Sequence, residues 1–215
     1  MRGTTLQRVL TCVLILKVTL NVILVYRDYL PPNFKSDFLQ GRQAYFSGGY
    51  QWAFYSHVSS SPCSLVMGMV LLSEQFRRKH LVWHRCLGRI QVACVLLLVT
   101  PSGLWMARYA QTGIIAGAGF ATLAVATGLC VACGWRSAVN RRTRDHRRWM
   151  WRCFLLLCSA IVLRLMSGLG TVAGTKAQWL YPVSAWTSWS VPLLAMFEPK
   201  HVAAQLRPKQ SHSQT

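Results

Sequence analysis

Long apolar runs, joined by loops whose basic charge alternates heavy, light, heavy, light, constrain this chain more than any other feature. Six windows of roughly 18 or more mostly apolar residues can be read: Val9 to Tyr26, Trp52 to Ser73, Ile90 to Tyr109, Ile114 to Gly134, Trp149 to Leu169 and Trp179 to Phe197. In hydrocarbon no water is present to hydrogen-bond the backbone, so such segments must close their own bonds as helices. The expected fold class is therefore all-α: a polytopic transmembrane helix bundle of six spans, with spans two to five as a four-helix core. The fourth window, rich in Gly and Ala, is the weakest on hydrophobicity and is required by the charge count.

The formal net charge of +19 would point to nucleic acid in a soluble chain. Here the cations sort by loop instead. With an even number of spans, 17 of the 24 Lys and Arg residues fall on one side, concentrated at Arg77 to Arg89 and Arg136 to Arg152, and 5 on the other. Lys17 and Arg164 remain within spans. The crowded side is expected to be cytoplasmic, with both termini inside and the cell inner (cytoplasmic) membrane as location. The expected partner of these arginines is the anionic head-group layer of the bilayer, not nucleic acid.

The organisation follows. Residues 1–27 form a retained signal-anchor span, because the apolar run lacks a small-x-small cleavage site. Residues 28–51 form an external loop, stopped by Pro31-Pro32 and turned at Gly48-Gly49. Residues 52–170 are the membrane core, 171–198 the sixth span and 199–215 a polar, disordered cytoplasmic tail. Pro101, Pro182 and Pro192 are expected to kink their helices, and Gly117 and Gly119 to line close helix contacts.

Of the eight cysteines, Cys12, Cys63, Cys94, Cys130, Cys133, Cys153 and Cys158 fall in spans, where thiols pack as small apolar groups. Cys130 and Cys133 share a helix face without a second pair at metal-ligand spacing. Polar groups inside spans carry more meaning, because each is costly there. His57, about a turn and a half inside the second span, and Arg164 in the fifth are such groups. Structural readings stand beside functional ones for both: Arg164 can snorkel outward, and His57 can bond a neighbouring helix. Serines 56, 59, 60, 61 and 64 surround His57, yet no acidic residue is placed to orient a base, which argues against a hydrolase. The chain reads as more a binding protein than an enzyme; if an enzyme, a membrane-bound oxidoreductase.

His84 opens the third span and His146 the fifth; each follows a basic loop and is itself followed by Arg. In an antiparallel four-helix bundle, helices two apart run parallel, so their first residues lie at similar depth. His84 and His146 should then face each other across the cytoplasmic end. Two imidazoles can hold a b-type haem by both axial positions, with Arg85, Arg89, Arg147 and Arg148 as partners of its propionates. The plainer reading makes both histidines anchors in an interfacial belt with Trp83, Trp149 and Trp151.

These residues carry a family resemblance. From about His57 to Gly168 the chain resembles the bacterial multi-pass family known as domain of unknown function 2306. The resemblance lies in His57, in His84-Arg85-Cys86-Leu87-Gly88-Arg89, in His146-Arg147-Arg148-Trp149-Met150-Trp151-Arg152 and in Leu163-Arg164-Leu165. The family implies a membrane bundle and no established activity. Its four-helix core with interfacial histidines is similar in turn to transmembrane cytochromes b that take electrons from ascorbate or a quinol, although no histidine of the fourth span here faces His57. Two readings therefore leave the sequence: a binding or scaffold module with a His/Arg cluster at the cytoplasmic interface, or a haem b redox protein ligated through His84 and His146.

Overall fold

A computed structural model of the protein describes residues 24, 26–36, 38–172, 174 and 179–195. The chain divides into two compact units, Met1–Trp52 and Ala53–Thr215.

In the first unit the described residues wind through turns to a short helix, Gln43–Tyr45, and a π-helical turn, Phe46–Tyr50. The backbone leaves helical geometry at Gly48 and Gly49, where φ is 101° at Gly49, a conformation that glycine adopts without a Cβ clash. Arg42, only 3% exposed, organises the unit. Its Nε donates to the Phe38 carbonyl at 2.7 Å, and Nη1 donates to the Tyr50 hydroxyl at 2.9 Å and the Tyr45 hydroxyl at 3.4 Å. Its guanidinium stacks 4.7 Å from the centre of the Phe38 ring.

The second unit is built from helices, and the described residues contain no strand. We number them α1 (Gln51–Leu72), α2 (Glu74–Lys79), α3 (Leu81–Ala107), α4 (Ile114–Val139), α5 (Thr143–Leu157, resuming past Cys158 as Ser159–Val172) and α6 (Leu180–Ala195). Val95, Cys130, Val131, Cys153 and Leu156 form a buried apolar core shared by α3, α4 and α5. Outside it Val82, Leu97 and Ile114 are exposed, as befits helices whose solvent is lipid.

Among the described residues, three of the expected windows stand as helices long and apolar enough to cross a membrane: Leu81–Ala107, Ile114–Val139 and the α5 segment Thr143–Gly170. The expectation that the fourth window is the least hydrophobic is wrong: Ile114–Val139 exceeds the third window in mean hydropathy and equals the fifth, because alanines, valines and leucines fill it without a charge before Arg136. The second window is a helix of 22 residues, but five serines and His57 dilute its apolar character. The sixth is a helix over Leu180–Ala195 among the described residues. The first window lies outside the described residues except for Leu24 and Tyr26, and residues 199–215 lie wholly outside them.

The prolines act unequally. Ahead of Pro101, which cannot donate to Leu97, α3 opens into a π-helical turn at Val95–Val99, and the Ser102 hydroxyl donates to the carbonyls of Leu98 and Val99. Pro182 does not sit where a kink is needed. It is the third residue of α6, in the first turn, where an amide would have no helical partner. Pro192 lies inside α6 and Pro62 inside α1.

Small residues on α4 let its neighbours approach. A Cβ on Gly117 would lie 2.8 Å from the Ala107 carbonyl, and one on Gly119 3.1 Å from the Trp186 indole nitrogen. That nitrogen donates to the Ile115 carbonyl at 3.0 Å, fastening α6 to the start of α4. Both glycines thus line close contacts, as their sequence context predicts.

Candidate functional site

A cavity of about 470 Å³ lies at the arginine-rich end of the second unit, where α1 ends, α3 begins, α4 ends and α5 begins. Helical spacing explains its walls. His84, Gly88, Gln91 and Val92 recur at three or four residues along one face of α3, with Arg85 and Arg89 on the adjoining row. His146, Met150, Cys153 and Leu157 do the same on α5, flanked by Arg147, Trp151 and Phe154. Leu71 and Leu72 of α1 and Trp135 and Val139 of α4 complete an apolar lining. The site therefore combines an apolar interior with cations at one end.

Of the residues expected from sequence, the cavity gathers His84, His146, Arg85, Arg89 and Arg147. Arg148 is not among its lining residues; it faces outward, and its guanidinium lies 3.9 Å from the Asp145 carboxylate. His57 and Arg164 lie elsewhere. The Ser102 hydroxyl proton is committed to backbone carbonyls, so Ser102 Oγ accepts from His57 Nδ1 at 3.1 Å. Arg164 is exposed on the second half of α5. The serines near His57 turn to their own helix: Ser59 and Ser60 donate to the carbonyls of Tyr55 and Ser56. The nucleophile-and-base arrangement of a hydrolase does not form there.

Four charged or amide-bearing lining residues escape a reading by sequence: Arg77, Arg141, Glu74 and Gln91. Glu74 opens α2 behind the Ser73 cap and takes hydrogen bonds from Arg78 at 2.8 Å and Arg77 at 3.4 Å. The hydrogen bond from Arg78, then its charge, holds the Glu74 carboxyl below the usual carboxylate range. Arg77 is thus partly neutralised, whereas Arg85, Arg89, Arg141 and Arg147 form no ion pair among the described residues.

Arg141 is held in an unusual conformation. After α4 the amide of Arg142 bonds the Ser137 carbonyl at 2.8 Å and that of Arg141 bonds the Ala138 carbonyl at 3.0 Å, the pairing of a Schellman motif. The position that glycine normally takes in that motif is Arg141, with φ of 57°. A side chain here costs about 1 kcal/mol or more relative to glycine.

His146 is fixed from behind. Its Nδ1 lies 2.9 Å from the Gly134 carbonyl and donates to it, so that in the neutral ring Nε2 is the acceptor. Gly134 permits this, since a Cβ there would lie 2.7 Å from Met150 Sδ. Gln91, 1% exposed, donates from Nε2 to the Ser64 carbonyl at 3.0 Å. Its Oε1 and the Nδ1 of His84 are buried atoms without a hydrogen-bond partner among the described residues. The described residues hold no group of three or more His, Cys, Asp or Glu side chains arranged for a metal ion.

Residues 54–198 match the model of the DUF2306 family, described as a predicted membrane protein. No curated protein and no solved structure matches the chain.

Proposed function

The chain belongs to the DUF2306 family of predicted membrane proteins, and we propose that it is a non-enzymatic binding module that holds an amphiphilic anion, foremost an anionic lipid head group, in its His/Arg cavity. One observation carries this reading: Arg85, Arg89, Arg141 and Arg147 line one cavity of about 470 Å³ without an ion pair among the described residues. Guanidinium groups gathered beside an apolar interior repel one another, and an anion bound by fork-like hydrogen bonds relieves that repulsion. The apolar walls suit the rest of an amphiphile. By the charge asymmetry of the loops this end faces the cytoplasm of the cell inner membrane, where acidic lipids attract arginine.

The test is lipid binding by the purified protein in detergent, read by native mass spectrometry with phosphatidylglycerol against phosphatidylcholine. Retention of the anionic lipid, lost when Arg85 and Arg89 are both changed to Gln, is expected. Equal retention of both lipids would overturn the reading.

A second reading has its own support in the His146 contact. Nδ1 bound to a carbonyl and Nε2 left free is the arrangement that orients an imidazole for iron. His84 lines the same cavity, and on this reading Arg85, Arg89 and Arg147 would pair with the propionates of a b-type haem. The haem would supply one-electron transfer. An absorption spectrum of protein from haem-replete cells decides: a Soret band lost in His84→Ala and His146→Ala supports this reading, and colourless protein ends it.

A further inference from the structure

We infer that the head group held by this cavity is a phosphomonoester: the ligand class is an apolar-tailed amphiphile whose phosphate is esterified once and keeps its own P–OH. The inference rests on the anionic-lipid reading above and names the kind of phosphate.

It starts from the two imidazoles. His84 and His146 line the same cavity, and a charge on His146 is felt at His84. The Nδ1 of His146 lies 2.9 Å from the Gly134 carbonyl, which can only accept, so the proton of the neutral ring sits on Nδ1 and Nε2 keeps a lone pair. His84 is set the other way. Its Nδ1 is sealed from contact and has no partner among the described residues. A buried N–H without an acceptor is rarer than an idle lone pair, so the neutral ring carries its proton on Nε2. The Nε2 atoms of both rings make no hydrogen bond among the described residues and stay accessible. The wall thus offers the ligand one donor, His84 Nε2–H, and one acceptor, His146 Nε2.

A phosphomonoester matches both. One of its unprotonated oxygens accepts from His84, and its P–OH donates to His146. In water the second proton leaves such a phosphate at about pH 6. Whether that proton starts on the phosphate or on the ring, the same bond forms, with one proton between oxygen and Nε2. A phosphodiester brings no such proton and turns an oxygen toward a lone pair. A carboxylic acid also combines the two functions, and the surrounding charge decides against it. Arg85 and Arg147 directly follow the two histidines, and with Arg89 and Arg141 they line the cavity without an ion pair among the described residues. A phosphomonoester gives them three terminal oxygens and about two negative charges, more than a carboxylate has to share.

The experiment uses dioctanoyl phosphatidic acid and dioctanoyl phosphatidylmethanol, which differ by one methyl ester on the phosphate, titrated by calorimetry into the full chain in detergent at neutral pH. Phosphatidic acid is expected to bind on the order of tenfold more tightly. The ratio of the two affinities should fall severalfold in His146→Leu. Dodecyl phosphate, a monoester on a single chain, identifies the source: binding tighter than that of phosphatidic acid assigns a single-chain phosphate, and weaker binding a diacylglycerol phosphate. Equal affinities of the two dioctanoyl probes for the unaltered protein would overturn the monoester inference and leave the anionic-lipid reading standing. Failure of both to bind more tightly than dioctanoyl phosphatidylcholine would overturn both. The comparison of probes on the unaltered chain decides even where the variant does not fold.

Discussion

The Nδ1 atom of His146 sits 2.9 Å from the main-chain oxygen of Gly134, so one wall of the cavity is locked to another through a single imidazole. The contact exists because α4 and α5 meet closely at a residue without a Cβ. A methyl group on Gly134 would approach Met150 Sδ to 2.7 Å and Trp149 Cβ to 3.4 Å. Gly134→Ala is therefore expected to drive the Met150 thioether aside within the cavity wall, lower stability by about 1 kcal/mol and weaken retention of an anionic lipid in the same variant. Thermal unfolding and lipid retention, measured side by side in detergent, check this; a variant with normal melting and normal retention would detach the glycine from the site.

Charge reversal should be selective by position. Arg89 lines the cavity without an ion pair, whereas Arg148 faces outward beside Asp145. Arg89→Glu introduces repulsion where an anion would bind and is expected to lower affinity for phosphatidylglycerol by about tenfold or more, the range of charged hydrogen bonds. Arg148→Glu should change it by less than about twofold, because Arg148 does not line the cavity. Equal losses in the two would mean that the lipid reads the overall charge of this end and not the cavity.

How much of this was legible in the sequence can be argued residue by residue. His84 and His146 share a cavity because the depth of a residue follows from its distance to the start of a helix, which apolar periodicity marks. Arg148 was expected beside Arg147, but adjacent residues on a helix point about 100° apart, so one of the pair lines the cavity and the other faces outward. Gln91 carried a signal that went unread: it lies seven residues past His84, two turns along the same face. Arg141 carried none, since nothing in a run of arginines marks which one enters the left-handed region. The proline at 182 misled because a kink depends on position within the helix, and the helix begins only at Leu180.

Arg141 sets stability against binding. It occupies the position of a Schellman motif that glycine fills at lowest cost, with φ of 57°. Arg141→Gly should raise stability by about 1 kcal/mol by relieving that strain. The same change removes a guanidinium from the cavity and should weaken anionic-lipid binding severalfold. A higher melting temperature with weaker binding is the expected pair of results. Weaker binding without a gain in stability would mean that the turn is not strained, and a gain in stability with unaltered binding would remove Arg141 from the site.

In the first unit, Arg42 is expected to be a structural hub. Among the described residues its guanidinium donates to the Phe38 carbonyl and to the hydroxyls of Tyr45 and Tyr50, and the Phe38 ring stacks against it. Arg42→Leu keeps apolar bulk but leaves those acceptors without their donor, a loss on the order of 2 kcal/mol or more. Arg42→Lys keeps the charge and not the planar fork, so it cannot serve Nε and Nη1 partners together and should recover only part of that loss. Limited proteolysis of the detergent-purified protein reads this directly: cleavage between Tyr26 and Tyr50 should be fastest in the leucine variant, intermediate in the lysine variant and slowest in the unaltered chain. Identical cleavage rates in all three would show that the aromatic residues hold this unit together without the arginine.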